Sequence, residues 1–115
     1  MEMKVVNASV RRADLTGMAG RQFGDMIKAV VDISREVMAI GGEMHADEEA
    51  YLLDQGSRQE DLWGINLYPA AEAADLVEFD SMINLRPSAG NRTRGVDDPA
   101  LREKILQIVR NLVKD

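Results

Sequence analysis

Met26-Ile27-Lys28-Ala29-Val30-Val31-Asp32-Ile33-Ser34-Arg35-Glu36-Val37-Met38-Ala39-Ile40-Gly41-Gly42 is the stretch that decides the fold. Residues 26–33 are rich in β-branched side chains, and Val37 to Ile40 repeat that character across Ser34-Arg35. Two such runs on either side of a short polar break predict an antiparallel hairpin. The Gly41-Gly42 doublet ends it and marks a bend where backbone freedom is needed.

Upstream, Met3 to Val6 reads as a short strand. Leu15, Met18, Ala19 and Phe23 then recur at helical spacing, so residues 10–23 read as a helix opened by Ser9 and closed at Gly24. Gly17 and Gly20 weaken that helix. Downstream, residues 46–55 read as a second helix, with Asp47, Glu48 and Glu49 in its first turn, Leu52 and Leu53 on its buried side, and Gly56 just past its end. Ser57-Arg58-Gln59-Glu60 matches a capping box with room for a single turn. Leu62 to Tyr68 reads as a strand with Trp63, Ile65 and Leu67 on one face, stopped by Pro69. Residues 76–85 alternate Val77, Phe79, Ser81, Ile83 and Leu85 with Leu76, Glu78, Asp80, Met82 and Asn84, which predicts a central or near-central strand. Residues 86–97 lack periodicity. Asp98 as N-cap and Pro99 at the first helical position open a last helix with Leu101, Ile105, Ile108, Val109, Leu112 and Val113 on one stripe.

The order is therefore β-α-β-β-α-β-β-α. It predicts an α+β domain, residues 1–115, with an antiparallel sheet of about four to five strands covered on one face by helices. A chain of 115 residues, 45% hydrophobic and 30% charged, is long enough to bury a modest core. Cysteine is absent, which removes disulfides, thiolate catalysis and zinc-thiolate sites. No apolar run approaches the ~20 residues of a membrane helix. The start, Met1-Glu2-Met3-Lys4, lacks the basic-then-apolar pattern of a signal peptide, so a cytoplasmic location is expected.

Charge is unevenly placed. Residues 43–61 carry seven acids (Glu43, Asp47, Glu48, Glu49, Asp54, Glu60 and Asp61) against Arg58, which equals the whole formal net charge of −6. Non-specific binding to nucleic acid needs broad positive potential, so nucleic acid is not an expected partner. Downstream, Arg86, Arg92 and Arg94 share a stretch without an acid.

The motifs Gly41-Gly42-Glu43-Met44-His45-Ala46-Asp47-Glu48-Glu49, Gly56-Ser57-Arg58-Gln59-Glu60-Asp61-Leu62-Trp63-Gly64-Ile65-Asn66 and Phe79-Asp80-Ser81-Met82-Ile83-Asn84-Leu85-Arg86-Pro87, with Gly90-Asn91-Arg92, carry a resemblance. The chain resembles, from Lys28 to Val113, a small uncharacterised family of prokaryotic proteins of about this length. The resemblance implies a stand-alone single-domain protein and supplies no activity, cofactor or catalytic residue.

Three constellations are candidates for chemistry. Glu43, His45 and Asp47, with Asp80 from the alternating strand, could hold a hard divalent cation such as magnesium or manganese. Acids at a helix start are also favoured by the macrodipole alone, by ~0.3–1 kcal/mol each. Arg86, Asn91, Arg92 and Arg94 combine guanidinium forks, an amide and glycine-freed N–H groups suited to a phosphate or carboxylate. Those arginines could instead pair with the acidic segment. Glu78, Asp80 and Asn84, with Asn66, Lys28 and Asp32 on neighbouring strands, form a polar sheet face that is either solvated or a site. Leu76 and Met82 on that face suggest a partner-facing surface, as in a homodimer.

The favoured reading is a ligand-binding or interaction module with its arginine loop, residues 86–95, beside the acidic segment 43–49, where His45 joins Arg86, Asn91, Arg92 and Arg94 on a small anionic ligand. The alternative is a metal-assisted hydrolase or phosphotransfer enzyme using Glu43, His45, Asp47 and Asp80 with Arg86 and Arg92. The enzyme requires the two stretches to meet in one cleft at a shared substrate position, whereas the binding module does not; both readings place the two stretches at one rim of the sheet.

Overall fold

The computed structural model describes residues 3–115. Met1 and Glu2, which entered the reading of the N-terminus, lie outside the described residues. The fold is α+β. Strands β1 (Lys4–Val6), β3 (Ile27–Asp32), β4 (Val37–Ile40), β5 (Leu62–Leu67) and β6 (Val77–Glu78) form an antiparallel sheet in the order β1-β4-β3-β5-β6. Strands β2 (Val10–Arg11) and β7 (Val113–Lys114) pair in parallel and tie the two ends of the chain together. The helices are α1 (Arg12–Arg21), α2 (His45–Asp54) and α3 (Pro99–Leu112).

The β3–β4 hairpin forms in the register Ala29↔Ile40, Val30↔Ala39, Val31↔Met38 and Asp32↔Val37. Its turn is held by the buried Asp32, whose Oδ1 accepts from Ser34 N and Arg35 N, both at 2.9 Å. Ser57 donates to Asp32 Oδ2 at 2.6 Å, so this residue of the expected capping box ties the turn to the segment after α2 instead. At α3, Asp98 Oδ1 accepts from Ala100 N at 2.9 Å, as the Asp-Pro signal predicts. Arg11, not Ser9, precedes α1, and it makes no side-chain cap.

The central strand β3 is apolar on both sides, and this changes the layering. One face packs Ile27, Ala29, Val31, Met38, Ile40, Trp63, Ile65 and Leu67 against Leu15, Met18 and Ala19 of α1 and Ile105, Ile108, Val109 and Leu112 of α3. Full burial of each such aliphatic side chain contributes roughly 1.5–3 kcal/mol. The other face packs Val30, Val37, Ala39 and Leu62 against Leu52 of α2. Helices thus lie on both faces rather than one, because Val30 and Leu62 would otherwise meet water. Only Leu52 of the expected pair turns inward; Leu53 is exposed, as is Phe23 after α1.

The expected long strand over residues 76–85 is shortened to Val77–Glu78 at the sheet edge. Beyond it, Ser81 Oγ accepts from Ile83 N and opens a 3-10 turn at Met82–Asn84. Side chains replace the missing ladder. The Asn84 amide accepts from Gly64 N at 2.8 Å and donates to Gly64 O at 2.9 Å, as a paired backbone would. Farther along β5, Arg86 Nη2 donates to Leu62 O. Beyond its pairing with β6, the outer edge of β5 is therefore satisfied at Gly64 and at Leu62 O by side chains.

Candidate functional site

The α2 face changes character along its length. Register places Lys28 opposite Asn66, and Asn66 opposite Glu78, so three polar residues form one row across β3, β5 and β6. The N-terminus of α2 stands on one side of this row and residues 80–83 on the other. Together they enclose a cleft of about 390 Å³ lined by Lys28, His45, Asn66, Glu78, Asp80, Ser81 and Arg94, with Met26, Met44, Ala46, Met82 and Ile83 at its walls. Met44 and Met82 are 58% and 61% exposed. A larger hollow of about 560 Å³ lies between α1 and residues 69–73. Its guanidinium, Arg12, is already engaged by Pro69 O, Ala71 O and Asp115.

Two glycines allow the cleft to form. A Cβ on Gly64 would lie 2.6 Å from Ser81 Oγ and 3.2 Å from His45 Cδ2, so the bare backbone lets both side chains approach the sheet. A Cβ on Gly42 would lie 2.7 Å from Glu48 Cγ, and its absence lets α2 pack close to the end of β4.

His45 Nε2 lies 2.8 Å from Ile65 O. A carbonyl oxygen can only accept, so Nε2 carries the proton and Nδ1 keeps its lone pair in the neutral ring. Burial holds the His45 pKa below its ordinary value. The Ile65 carbonyl, Asn66 and Asp80 oppose this, while Lys28 reinforces it. The ring is therefore neutral at pH 7.

Glu48, one turn into α2, is fully buried, and burial pushes its carboxyl up to about 9, against the Gly42 N–H and Lys28, which lower it. Its Oε2 accepts from Gly42 N at 3.0 Å. At neutral pH this carboxyl stays protonated and adds no charge beside Lys28. Lys28 itself lies over the Phe23 ring, 5.1 Å from the centroid, and makes no ion pair among the described residues.

Glu78 Oε1 receives Asn66 Nδ2 at 2.9 Å and Tyr68 Oη at 3.1 Å. Both donors are neutral, and among the described residues Oε2 has no hydrogen bond. The second Asn66 Nδ2 proton goes to Asp80 O at 3.4 Å, which fixes the amide so that Oδ1 faces the opposite way. Oδ1 is buried and finds no partner of good geometry. Asp80 is neutralised by Arg94, whose Nε donates at 2.8 Å.

The expected site residues divide. His45 and Arg94 line the cleft, one from the start of α2 and one from the arginine loop, and Asp80 lies between them. Arg86 does not line it: its guanidinium stacks on Trp63, 4.4 Å from the ring centroid, and donates to Ile83 O and Leu62 O. Asn91 is buried within the loop, where Nδ2 donates to the carbonyls of Asn84, Thr93 and Gly95 and Oδ1 accepts from Asp97 N. Arg92 is exposed, and its backbone N–H donates to Asp97 Oδ2 at 2.7 Å. Glu43 borders a separate hollow with Arg21, Gln22 and Phe23, while Asp47 lies in the first turn of α2. Among the described residues no group of three or more His, Asp or Glu side chains is arranged to hold a metal ion.

Of the polar sheet face, Lys28, Asn66, Glu78 and Asp80 reach the cleft, whereas Asn84 turns onto Gly64 and Asp32 onto its hairpin turn. Leu76 is buried in the core and Met82 is exposed at the cleft rim. Sequence reasoning missed Ser81 as a cleft residue, because its place follows from its close approach to Gly64 on the neighbouring strand β5, which no local pattern reveals.

No helix of the described residues is long and apolar enough to cross a membrane. Comparison with the curated proteins and with the solved structures gives no match. The family described as "Protein of unknown function (DUF5674)" matches residues 4–112, and the chain belongs to it.

Proposed function

We propose that the protein is a small ligand-binding module whose site is the cleft between the start of α2 and residues 78–83, and that its ligand carries an anionic group. The observation that carries this reading is Lys28, a cation in the cleft with no acid partner among the described residues, beside a helix N-terminus that no side chain caps. An anion there gains a charge-assisted hydrogen bond and the favourable end of the α2 dipole. The acidic segment contributes His45, and the arginine loop contributes Arg94, which is already balanced by Asp80. Arg86 and Asn91 lie outside the cleft lining, Arg86 on Trp63 and Asn91 on the carbonyls of its own loop. For the metal-assisted alternative no donor set converges among the described residues, and binding is the better supported reading.

Thermal unfolding with inorganic phosphate and acetate tests it. Binding to the folded state alone raises stability as RT ln(1 + [L]/Kd), about 2.7 kcal/mol at a hundredfold excess over Kd. The expected result is a rise in Tm that Lys28→Met removes and Arg92→Ala leaves intact. A rise that persists in Lys28→Met, or no rise with either anion, contradicts the proposal.

A further inference from the structure

The same cleft holds a second unbalanced charge, and it has the opposite sign. Glu78 is held in place by two neutral donors on one oxygen, Asn66 Nδ2 and Tyr68 Oη, with its other oxygen unengaged among the described residues. The neighbouring Asp80 is neutralised by Arg94, and Glu48 and His45 are uncharged at pH 7. The cleft therefore presents one net positive end at Lys28 and one net negative end at Glu78, with Asn66 between them in register.

The groups nearest those two charges sort the same way. At the Lys28 end stand two donors, the lysine ammonium, which lies over the Phe23 ring and has no ion pair among the described residues, and the start of α2, which no side chain caps. Toward Glu78 stand two acceptors, the exposed Glu78 Oε2 and the buried Asn66 Oδ1, which has no hydrogen bond of good geometry. A simple anion would engage the first set and leave the Glu78 charge unmatched and Asn66 Oδ1 without a well-aligned donor.

We infer that the ligand is a small zwitterion of the amino-acid type, its carboxylate on Lys28 and the start of α2 and its ammonium on Glu78 and Asn66. This rests on the reading of the cleft as an anion site and names the rest of the ligand. Two strand spacings of about 4.8 Å separate the backbones of Lys28 and Glu78, and both side chains are long and flexible, so zwitterions of different charge separation are the probes to compare. The methionines at the walls, Met26, Met44 and Met82, offer adaptable apolar contact to whatever carbon chain lies between or beyond the charges.

The test is a titration, followed by heteronuclear NMR, with glycine, β-alanine and γ-aminobutyrate, each set against its amine-free counterpart acetate, propionate or butyrate. At least one zwitterion is expected to bind roughly tenfold or more tightly than its carboxylate counterpart. Glu78→Gln keeps an acceptor for Asn66 and Tyr68, and it should erase that preference, so that each zwitterion binds no more tightly than its carboxylate counterpart. Lys28→Met should weaken both classes. If the carboxylates bind and no zwitterion binds better, or if the preference survives Glu78→Gln, the zwitterion assignment is overturned while the anion site stands. If neither class binds the folded protein, the anion site fails and this inference falls with it.

Discussion

On the side of the sheet that α1 and α3 cover, Ala29, Val31, Met38, Ile40, Trp63, Ile65 and Leu67 are buried and apolar. On the α2 side the sequence moves from Val30, Ala39 and Leu62 to Lys28, Asn66 and Glu78 within a few residues along the strands. The first surface is closed by two helices. The second is closed only where Leu52 reaches, and beyond that a cleft lies over polar groups whose mutual hydrogen bonds leave Lys28 and Glu78 without an ion-pair partner among the described residues. The contrast separates residues that hold the sheet together from residues whose charge and hydrogen-bonding capacity exceed what folding uses.

Substitutions can break that contrast from either side. Ile65, fully buried under α1 and α3, should be the most costly: Ile65→Ala is expected to lose about 4 kcal/mol in urea unfolding, by transfer and cavity formation together. On the α2 side, Glu48→Gln is expected to act in the opposite direction. The carboxyl keeps its proton to about 9 when folded, against 4.5 ordinarily, so its contribution is most favourable below 4.5 and declines as pH rises toward 9. At pH 7 this amounts to about 3 kcal/mol, which the glutamine avoids while keeping an acceptor for Gly42 N. Urea unfolding at pH 5 and pH 8 should show wild-type stability falling across the interval and the variant changing less. A smaller effect is expected at Asn84, whose loss leaves Gly64 N–H and C=O unpaired: Asn84→Ala should cost about 2 kcal/mol and raise hydrogen exchange at Gly64 above that at Ala29.

The hairpin, the third helix and the β5 face were legible in the sequence, because each rests on a local signal: β-branched runs about a short turn, Asp-Pro before an amphipathic stripe, and strict alternation at Trp63, Ile65 and Leu67. The alternation over residues 76–85 was equally regular but misleading. Periodicity reports which side of a segment is apolar, and it does not reveal that the Asn84 amide and the Arg86 guanidinium occupy the β5 edge in place of backbone. The layering was misread because Val30 and Leu62 count as interior only once the strand order is known.

The candidate site was partly legible. The polar group of Lys28, Asn66, Glu78 and Asp80 could be proposed from alternation, yet its alignment across three strands depends on register. The arginine cluster looked like a single unit, but the fold uses its members separately: Arg86 on Trp63, Arg94 on Asp80, Arg92 at the surface. Charge density along the chain carries no record of which guanidinium will be occupied by carbonyl oxygens. His45 stood out as the only histidine, and its place in the cleft follows from the sharp exit at Gly41-Gly42 that sets the start of α2.

The central claim is that the unpaired charges beside α2 form a binding site. The most direct measurement is a ¹H–¹⁵N correlation titration of the wild-type protein with acetate, reading backbone amides and the Asn66 side chain together. Saturable shifts concentrated at Lys28, His45, Ala46 and Asn66 are predicted. Shifts confined to the exposed loop around Arg92, or none that saturate, would contradict the account.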